Sequence, residues 1–374
     1  MEDTDKRIPV TVLTGFLGAG KTTLLNGLIK QPDSPRFLVI VNEFGSVGVD
    51  HDLVAQSDMD SSFVELANGC LCCTIRGDLT KTLREAPWRY SRDGQRWFDE
   101  VLIETTGLAD PAPIVQTFVA DTAIRDRYRL SQIITVVDSV NAVATLNTQH
   151  EAPKQIAVAD SVILTKSDLA SEAQLSETRE WVQKLNPTAR LFSSQPDPET
   201  LASLLRGSSF NPELVGLSVE AWLADDQVPH HGHHHEHDHH HEHDHDHHHH
   251  DLNRHDERIR SFSLTFETPK SARVFDAWFA ELARLRGPDL LRVKGLLNVS
   301  ELPVPMVVHG VQHIWHPPEI LSAWPSDDHR SRVVFIVRDI APAELLDVFS
   351  LIAPDDEDHE LQGLSETERQ VLSG

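Results

Sequence analysis

The sequence predicts an α/β fold, a mostly parallel sheet flanked by helices, followed by a smaller α+β C-terminal domain. Three observations carry that prediction. Short apolar, β-branched runs alternate with helix-like stretches as far as about residue 224, the pattern of strands buried on both faces. A tract with nothing apolar to bury then interrupts the chain from Pro229 to Asp251. Beyond it, hydrophobic periodicity resumes near Arg258. At 374 residues, 40% of them hydrophobic and 24% charged, the chain has material for two or three domains with real cores.

The elements follow in order. Ile8–Thr14 reads as a strand, Gly15–Gly20 as a break, and Lys21–Lys30 as a helix with Leu24, Leu25, Leu28 and Ile29 on its apolar side. Further strands are expected at Phe37–Val41, Phe63–Leu66, Val101–Glu104, Ile133–Val137 and Val162–Thr165. Helices are expected at Thr74–Arg84, around Ile156–Ala159 and at Ala173–Leu185. In the second domain Ser261–Phe266 and Val333–Val337 read as strands. Ala272–Arg286 reads as an amphipathic helix and Ala341–Ile352 as a last one. The expected domains are residues 1–224, a disordered linker at 225–256, an α+β unit at 257–352, and an acidic, frayed tail at 353–374.

Charge narrows the function. Thirty-three Lys and Arg against 58 Asp and Glu give a net charge of −25. Such a chain repels phosphate backbones and anionic lipids, so neither nucleic acid nor a membrane is expected as a partner. There is no run of about 18 apolar residues to span a bilayer. The stretch Met1–Arg7 lacks the basic end and hydrophobic core of a secretory signal. Three cysteines, Cys70, Cys72 and Cys73, sit together, an arrangement expected of reduced thiols in the cytoplasm.

Gly15-Phe-Leu-Gly-Ala-Gly-Lys21-Thr22 fits G-x-x-x-x-G-K-[ST] completely and lies between an expected strand and an expected helix. In such a loop the backbone amides of Gly15, Gly18, Ala19 and Gly20 wrap phosphates, and the helix N-terminus at Lys21, Thr22 and Thr23 adds positive character. Lys21 would reach the β- and γ-phosphates, and Thr22 would ligate Mg²⁺. Behind the loop, Glu104-Thr-Thr-Gly107 supplies a carboxylate for Mg²⁺ through water and an amide, that of Gly107, for the γ-phosphate. Thr165-Lys166-Ser167-Asp168 supplies a carboxylate at Asp168 that accepts two hydrogen bonds from guanine, and a lysine stem at Lys166 to lie over the base. The expected nucleotide is GTP. Asp50 or His51 is expected to help position the attacking water.

Thiols at i, i+2 and i+3, as at Cys70, Cys72 and Cys73, can converge on one soft or borderline ion such as Zn²⁺. A three-thiolate site leaves a position open, which suits transfer, and a helix starting at Thr74 would lower the thiol pKa values. Glu43, after the second strand, could complete the metal site or contact Mg²⁺. Between His230 and His250 fifteen histidines stand among Asp and Glu. Unlike an engineered tag, this tract is internal and mixed. It should collect Zn²⁺, Co²⁺, Ni²⁺ or Cu²⁺ weakly and release them as imidazole protonates near pH ~6.5.

The chain resembles the CobW-type family of metal-handling GTPases, relatives of nickel-inserting GTPases. The match is carried by Gly15–Thr22, Val41-Asn-Glu-Phe-Gly45, Gly69-Cys-Leu-Cys-Cys73, Glu104-Thr-Thr-Gly-Leu-Ala-Asp-Pro111 and Thr165-Lys-Ser-Asp168. Arg292-Val-Lys-Gly295 and His309-Gly-Val-Gln-His-Ile-Trp315 carry it into the second domain. The resemblance implies a GTP-hydrolysing metallochaperone in which Cys70, Cys72 and Cys73 hold a transition metal, usually zinc, with Glu43 as a further ligand. The GTP state would gate delivery to a client metalloprotein, and a homodimer is admitted. Cobalt handling for cobalamin synthesis and metal buffering by the histidine arm are the alternatives. One departure stands out: Thr165 replaces the asparagine of many GTPases, so an amide that braces the phosphate loop is lost and base affinity is expected to fall.

Overall fold

The computed structural model describes residues 6–29, 35–42, 63–65, 71–75, 79–192, 258–354 and 360–362. The first domain holds β1 (Ile8–Gly15), α1 (Lys21–Ile29), β2 (Phe37–Asn42), β3 (Phe63–Glu65), β4 (Leu71–Ile75) and α2 (Leu79–Arg89). A two-stranded hairpin of β5 (Ser91–Arg92) and β6 (Gln95–Arg96) follows, then β7 (Glu100–Thr105), α3 (Ala112–Ala120), α4 (Thr122–Arg125) and β8 (Tyr128–Asp138). Next come α5 (Ala142–Thr148), α6 (Glu151–Ala157), β9 (Ser161–Thr165), α7 (Glu172–Leu185) and β10 (Arg190–Phe192). Eight of these strands form one sheet in the order β10-β9-β8-β1-β7-β2-β4-β3. Every pairing is parallel except β3 on β4, which is antiparallel. Central strands are mostly apolar because helices cover both faces: Val10, Val12, Leu38, Ile40, Val101 and Ile103 face one core, and Leu13, Phe37, Val39, Leu102 and Ile134 the other.

The second domain holds β11 (Ile259–Phe266), α8 (Ala272–Arg286), β12 (Leu290–Leu297), β13 (Met306–Val311), β14 (Ile314–Trp315), β15 (Glu319–Ile320), β16 (Ser331–Arg338), α9 (Pro342–Ile352) and β17 (Glu360–Gln362). Its sheet runs β14-β13-β12-β16-β11-β17, with β15 also on β13. Glu360–Gln362 lies inside the segment expected to fray, yet it pairs with β11 as an edge strand. One face of this sheet is filled by α8 and α9. Trp278 is fully buried against Phe266, Phe335 and Phe349, and its indole N–H donates to the Leu345 carbonyl at 3.1 Å.

The other face packs on the first domain. Leu291, Val311 and Ile336 share a core with Phe118, Leu130, Ala157 and Val158. A register shift between Leu290 and Arg292 in the β12–β16 pairing turns consecutive residues to the same side. Leu290 and Val293 pack under the helices, while Leu291 joins the interdomain core and Arg292 pairs with Asp160. Lys294 follows Arg292 on that side and donates to the Thr188 carbonyl at 2.8 Å. His309 pairs with Lys294 across the strands, its ring 4.1 Å from that of His316.

The ion pair of Arg292 and Asp160 is almost wholly buried. Burial works to raise the Asp160 carboxyl, but Arg292, Lys294 and a hydrogen bond from the Ile133 amide outweigh it and hold it below the usual range. Burial, with Arg292 alongside, pushes His316 down to about 4 and His309 well below its ordinary value, so both imidazoles are neutral at pH 7. The same causes push Lys294 down to about 7, with Asp160 opposing them. Among the described residues no helix is long and apolar enough to cross a membrane.

A pH dependence follows for Lys294. Unfolded, its amine holds a proton up to about pH 10.4; folded, only to about 7. The unfolded state therefore binds more protons between these values, and stability rises with pH across that window. Urea unfolding from pH 7 to 10 should show this rise in the wild type and a flatter curve in Lys294→Met.

Candidate nucleotide site

The carboxyl ends of β9, β8, β1, β7 and β2 lie side by side, and the chain leaves β1 toward β2 while β8 lies on its other side. Ligands of open parallel sheets bind at such a reversal. Here β1 runs through Gly15 into the loop that opens α1. Gly15 has φ +140°, and a Cβ there would sit 2.2 Å from the Val136 carbonyl oxygen, so no side chain fits against β8. Lys21 is buried, its Nζ donating to the carbonyls of Gly15 at 2.9 Å and Phe16 at 3.1 Å.

Parallel register sets Glu104 of β7 between Leu13 of β1 and Val41 of β2. Its carboxylate, buried, accepts a hydrogen bond from the Thr22 hydroxyl at 2.7 Å. Two hard oxygen donors thus meet at the first turn of α1, a donor set that fits Mg²⁺. Behind them Thr105 donates to the Thr14 hydroxyl at 2.9 Å and ties β7 to β1. Gly107 then passes so close to the phosphate loop that a Cβ would lie 2.4 Å from the Leu17 nitrogen. The structure therefore brings Gly15, Gly18, Ala19, Gly20, Lys21, Thr22, Thr23, Glu104 and Gly107 to one edge.

The Thr165–Asp168 segment, expected to meet the base, leaves the end of β9. That strand lies between β8 and β10, with Thr165 opposite Asp138 of β8. The expected weakening of the brace is corrected here. Thr165 donates its hydroxyl to the Ala19 carbonyl at 2.7 Å, with the Val137 carbonyl 3.2 Å away. A hydroxyl at this position reaches the phosphate loop directly and ties it to the end of β9. Lys166 has φ +55°, a left-handed conformation that turns the chain so that the amides of Leu169 and Ala170 both meet its carbonyl. Asp168 stands exposed at the tip.

Sequence reading missed Asp138. Its carboxylate accepts from Lys166 Nζ at 2.8 Å, from Asn141 Nδ2 at 2.9 Å and from the Val140 amide at 2.9 Å. Burial works to raise this carboxyl, and those donors outweigh it, so it stays below the usual range. An acidic residue ending a strand beside the loop was the visible signal. Gln155 was also missed: buried on α6, its side-chain amide donates to the Gly107 and Ala109 carbonyls at 3.2 and 3.0 Å.

The thiol segment departs from expectation. Cys72 and Cys73 lie on β4, opposite Val39 and Ile40 of β2, and not on a loop. Thr74 and Ile75 continue the strand, and α2 begins only at Leu79, so no helix starts directly behind the cysteines. The β-branched Thr74 and Ile75 suit a strand paired along its length with β2. Cys70, Glu43, Asp50, His51 and the histidine tract His230–His250 lie outside the described residues. Among the described residues no group of three or more His, Cys, Asp or Glu could hold a metal ion.

Comparison with known proteins agrees with this arrangement. Residues 9–193 match the family described as CobW/HypB/UreG, nucleotide-binding domain, and residues 259–351 match the cobalamin synthesis protein cobW C-terminal domain. The chain is 35% identical over 369 residues to the zinc chaperone CobW of Pseudomonas aeruginosa, covering 91% of this chain and 90% of that one. It is 30% identical over 350 residues to the zinc chaperone YjiA of Escherichia coli, covering 92% and 98%. The crystal structure of Zn(II)-bound YjiA GTPase from E. coli superposes with a TM-score of 0.61 at 26% identity, covering 92% of this chain and 99% of that one. Both family models fall on this chain's two domains, and the chain belongs to the CobW/HypB/UreG family.

Proposed function

We propose that this protein is a GTP-hydrolysing metallochaperone that carries a transition metal, zinc foremost, to a client metalloprotein in the cytoplasm. The observation that carries the reading is a shared sheet row. Glu104 of β7 is level with Val41 of β2, and Val41 with Thr74 of β4, directly after Cys73. At about 4.8 Å per strand the cysteine-bearing strand runs roughly 10 Å from the strand whose carboxylate meets Thr22. Relatives named as zinc chaperones support zinc as the cargo.

In this mechanism the amides of Gly18, Ala19 and Gly20 hold the β-phosphate, and Lys21 exchanges the Gly15 and Phe16 carbonyls for β- and γ-phosphate oxygens. Thr22, and Glu104 through water, would hold Mg²⁺, which neutralises charge on the phosphates. The Gly107 amide meets the γ-phosphate. Thr165 fixes the loop under the guanine, Asp168 accepts from its N1–H and N2–H₂, and the Lys166 stem lies over its ring. Water attacks the γ-phosphorus, with Asp50 as the residue proposed to position it. The bond to the β-phosphate oxygen breaks, leaving GDP and phosphate. Catalysis is then mostly positioning and charge stabilisation.

Delivery requires that GTP and GDP states bind the metal with different affinity, since a nucleotide indifferent to the metal shifts nothing. Loss of the γ-phosphate releases the Gly107 loop, and that change passes from β7 across β2 to its neighbour β4. Cys70, Cys72, Cys73 and Glu43 are the proposed ligands, and the histidine arm their supply.

Steady-state GTP turnover should fall by about two orders of magnitude or more in Lys21→Ala, the scale of a lost charge-stabilising donor. Thr165→Ala removes one hydrogen bond worth about 1 kcal/mol, so GTP titration should show roughly fivefold weaker binding, with Thr165→Ser near wild type. Competition titration with a zinc chelator should give different zinc affinities with GTP, with GDP and without nucleotide. Replacing Cys70, Cys72 and Cys73 with serine should remove the tight site and the response of turnover to zinc. Identical zinc affinities in all three nucleotide states would refute the coupling.

A further inference from the structure

Helix α6 and the turn that follows it touch both the phosphate-facing loop and the second domain. In the last turn of the helix Gln155, 1% exposed, donates to the carbonyls of Gly107 and Ala109, and Lys154 pairs with Asp110 at 3.3 Å. The helix is itself held from the sheet, where Thr135 donates to the Gln155 carbonyl at 2.6 Å. Directly after Gln155 the Asn186 side-chain amide donates to the carbonyls of Ile156, Ala157 and Ala159, at 2.8, 3.2 and 3.0 Å. Ala157 and Val158 pack in one core with Leu291, Val311 and Ile336 of the second domain.

Asp160 completes the chain of contacts. Its carboxylate accepts from the Ile133 amide at 2.9 Å, its carbonyl from the Arg190 amide at 3.0 Å, and it forms the buried pair with Arg292. Gln155 and Asp160 are five residues apart, the last three positions lying in the turn beyond the helix. With the carbonyls of Gln155, Ile156, Ala157, Ala159 and Asp160 all accepting hydrogen bonds, this short segment has little freedom to deform, so displacement at one end is felt at the other.

We propose that α6 is a rigid strut through which the second domain positions the Gly107–Ala109 loop, making Gln155 and Arg292 positioning residues for GTP hydrolysis and coupling nucleotide state to the second domain. This rests on the reading that Gly107 faces the γ-phosphate. Coupling between binding equilibria is reciprocal. A γ-phosphate that draws on the Gly107 amide biases the seating of β12, and the seating of β12 biases the affinity for GTP over GDP. Gln155 transmits the bias because its two hydrogen bonds grip the loop on both sides of Leu108, and removing them leaves two carbonyls unpaired and the loop free of α6.

The test uses the full chain in wild-type, Gln155→Leu and Arg292→Lys forms, each shown to be folded by an unchanged circular dichroism spectrum. Amide hydrogen exchange in β12 is measured with a non-hydrolysable GTP analogue and with GDP. In the wild type, exchange in β12 should differ about fivefold or more between the two nucleotides, within the range of ordinary coupling. In Gln155→Leu that difference should vanish while the analogue still binds. Arg292→Lys keeps the charge and loses the guanidinium fork, and should lower kcat severalfold with little change in KM.

Equal exchange with both nucleotides in the wild type, or a difference that persists in Gln155→Leu, would overturn the strut. If the wild type bound neither nucleotide, the reading of the site itself would fall, and the strut with it.

Discussion

A hydroxyl on the first turn of α1 and a carboxylate at the end of β7 meet at 2.7 Å, and the rest of the site is arranged around that contact. Thr22 and Glu104 are 82 residues apart, so only a parallel sheet with β7 beside β1 brings them together. The approach is possible because bulk is missing on two sides. Gly15 lies against β8 where any Cβ would strike a carbonyl, and Gly107 crosses Leu17 where any Cβ would strike the backbone. The glycines set the distance, and the oxygen pair uses it.

Around this centre, buried polar groups are spent on holding loops in place. Thr165 reaches from β9 to the Ala19 carbonyl, Asp138 gathers three donors beside Lys166, and Gln155 grips the loop after β7. Each is the kind of paired polar contact that gives a buried region one geometry, because the alternatives would leave a donor or acceptor stranded. The domain junction obeys the same rule with charges. Asp160 and Arg292 are stable there only as a pair, and two neutral histidines stand beside them. A chain with net charge −25 thus buries a compensated ion pair where its two domains meet.

Much of this was legible beforehand. Both glycine-bounded ends of the phosphate loop, the acidic strand end at Glu104 and the Thr165–Asp168 tetrapeptide follow from short motifs whose spacing is local. Helix α8 appears with its expected bounds because its apolar stripe has a helical period and Ser271 caps it. Where a residue's environment is local, sequence suffices. The cysteine segment shows the opposite case. Thr74 and Ile75 follow three thiols and resemble a helix start, but β2 offers a free edge, and strand pairing with it decided the outcome.

What the sequence by itself determined is the core strands β1, β2, β3, β7, β8 and β9 of the first domain, β11 and β16 of the second, and the presence of that second domain, since periodicity and composition act over a few residues. Strand order, the bulge that turns Arg292 toward Asp160, and the grip of Gln155 on Gly107 were decided by tertiary structure. These are meetings of residues 48 to 132 positions apart. They exist because burying apolar faces carries polar groups inside, where they are stable only when they meet partners from elsewhere in the chain.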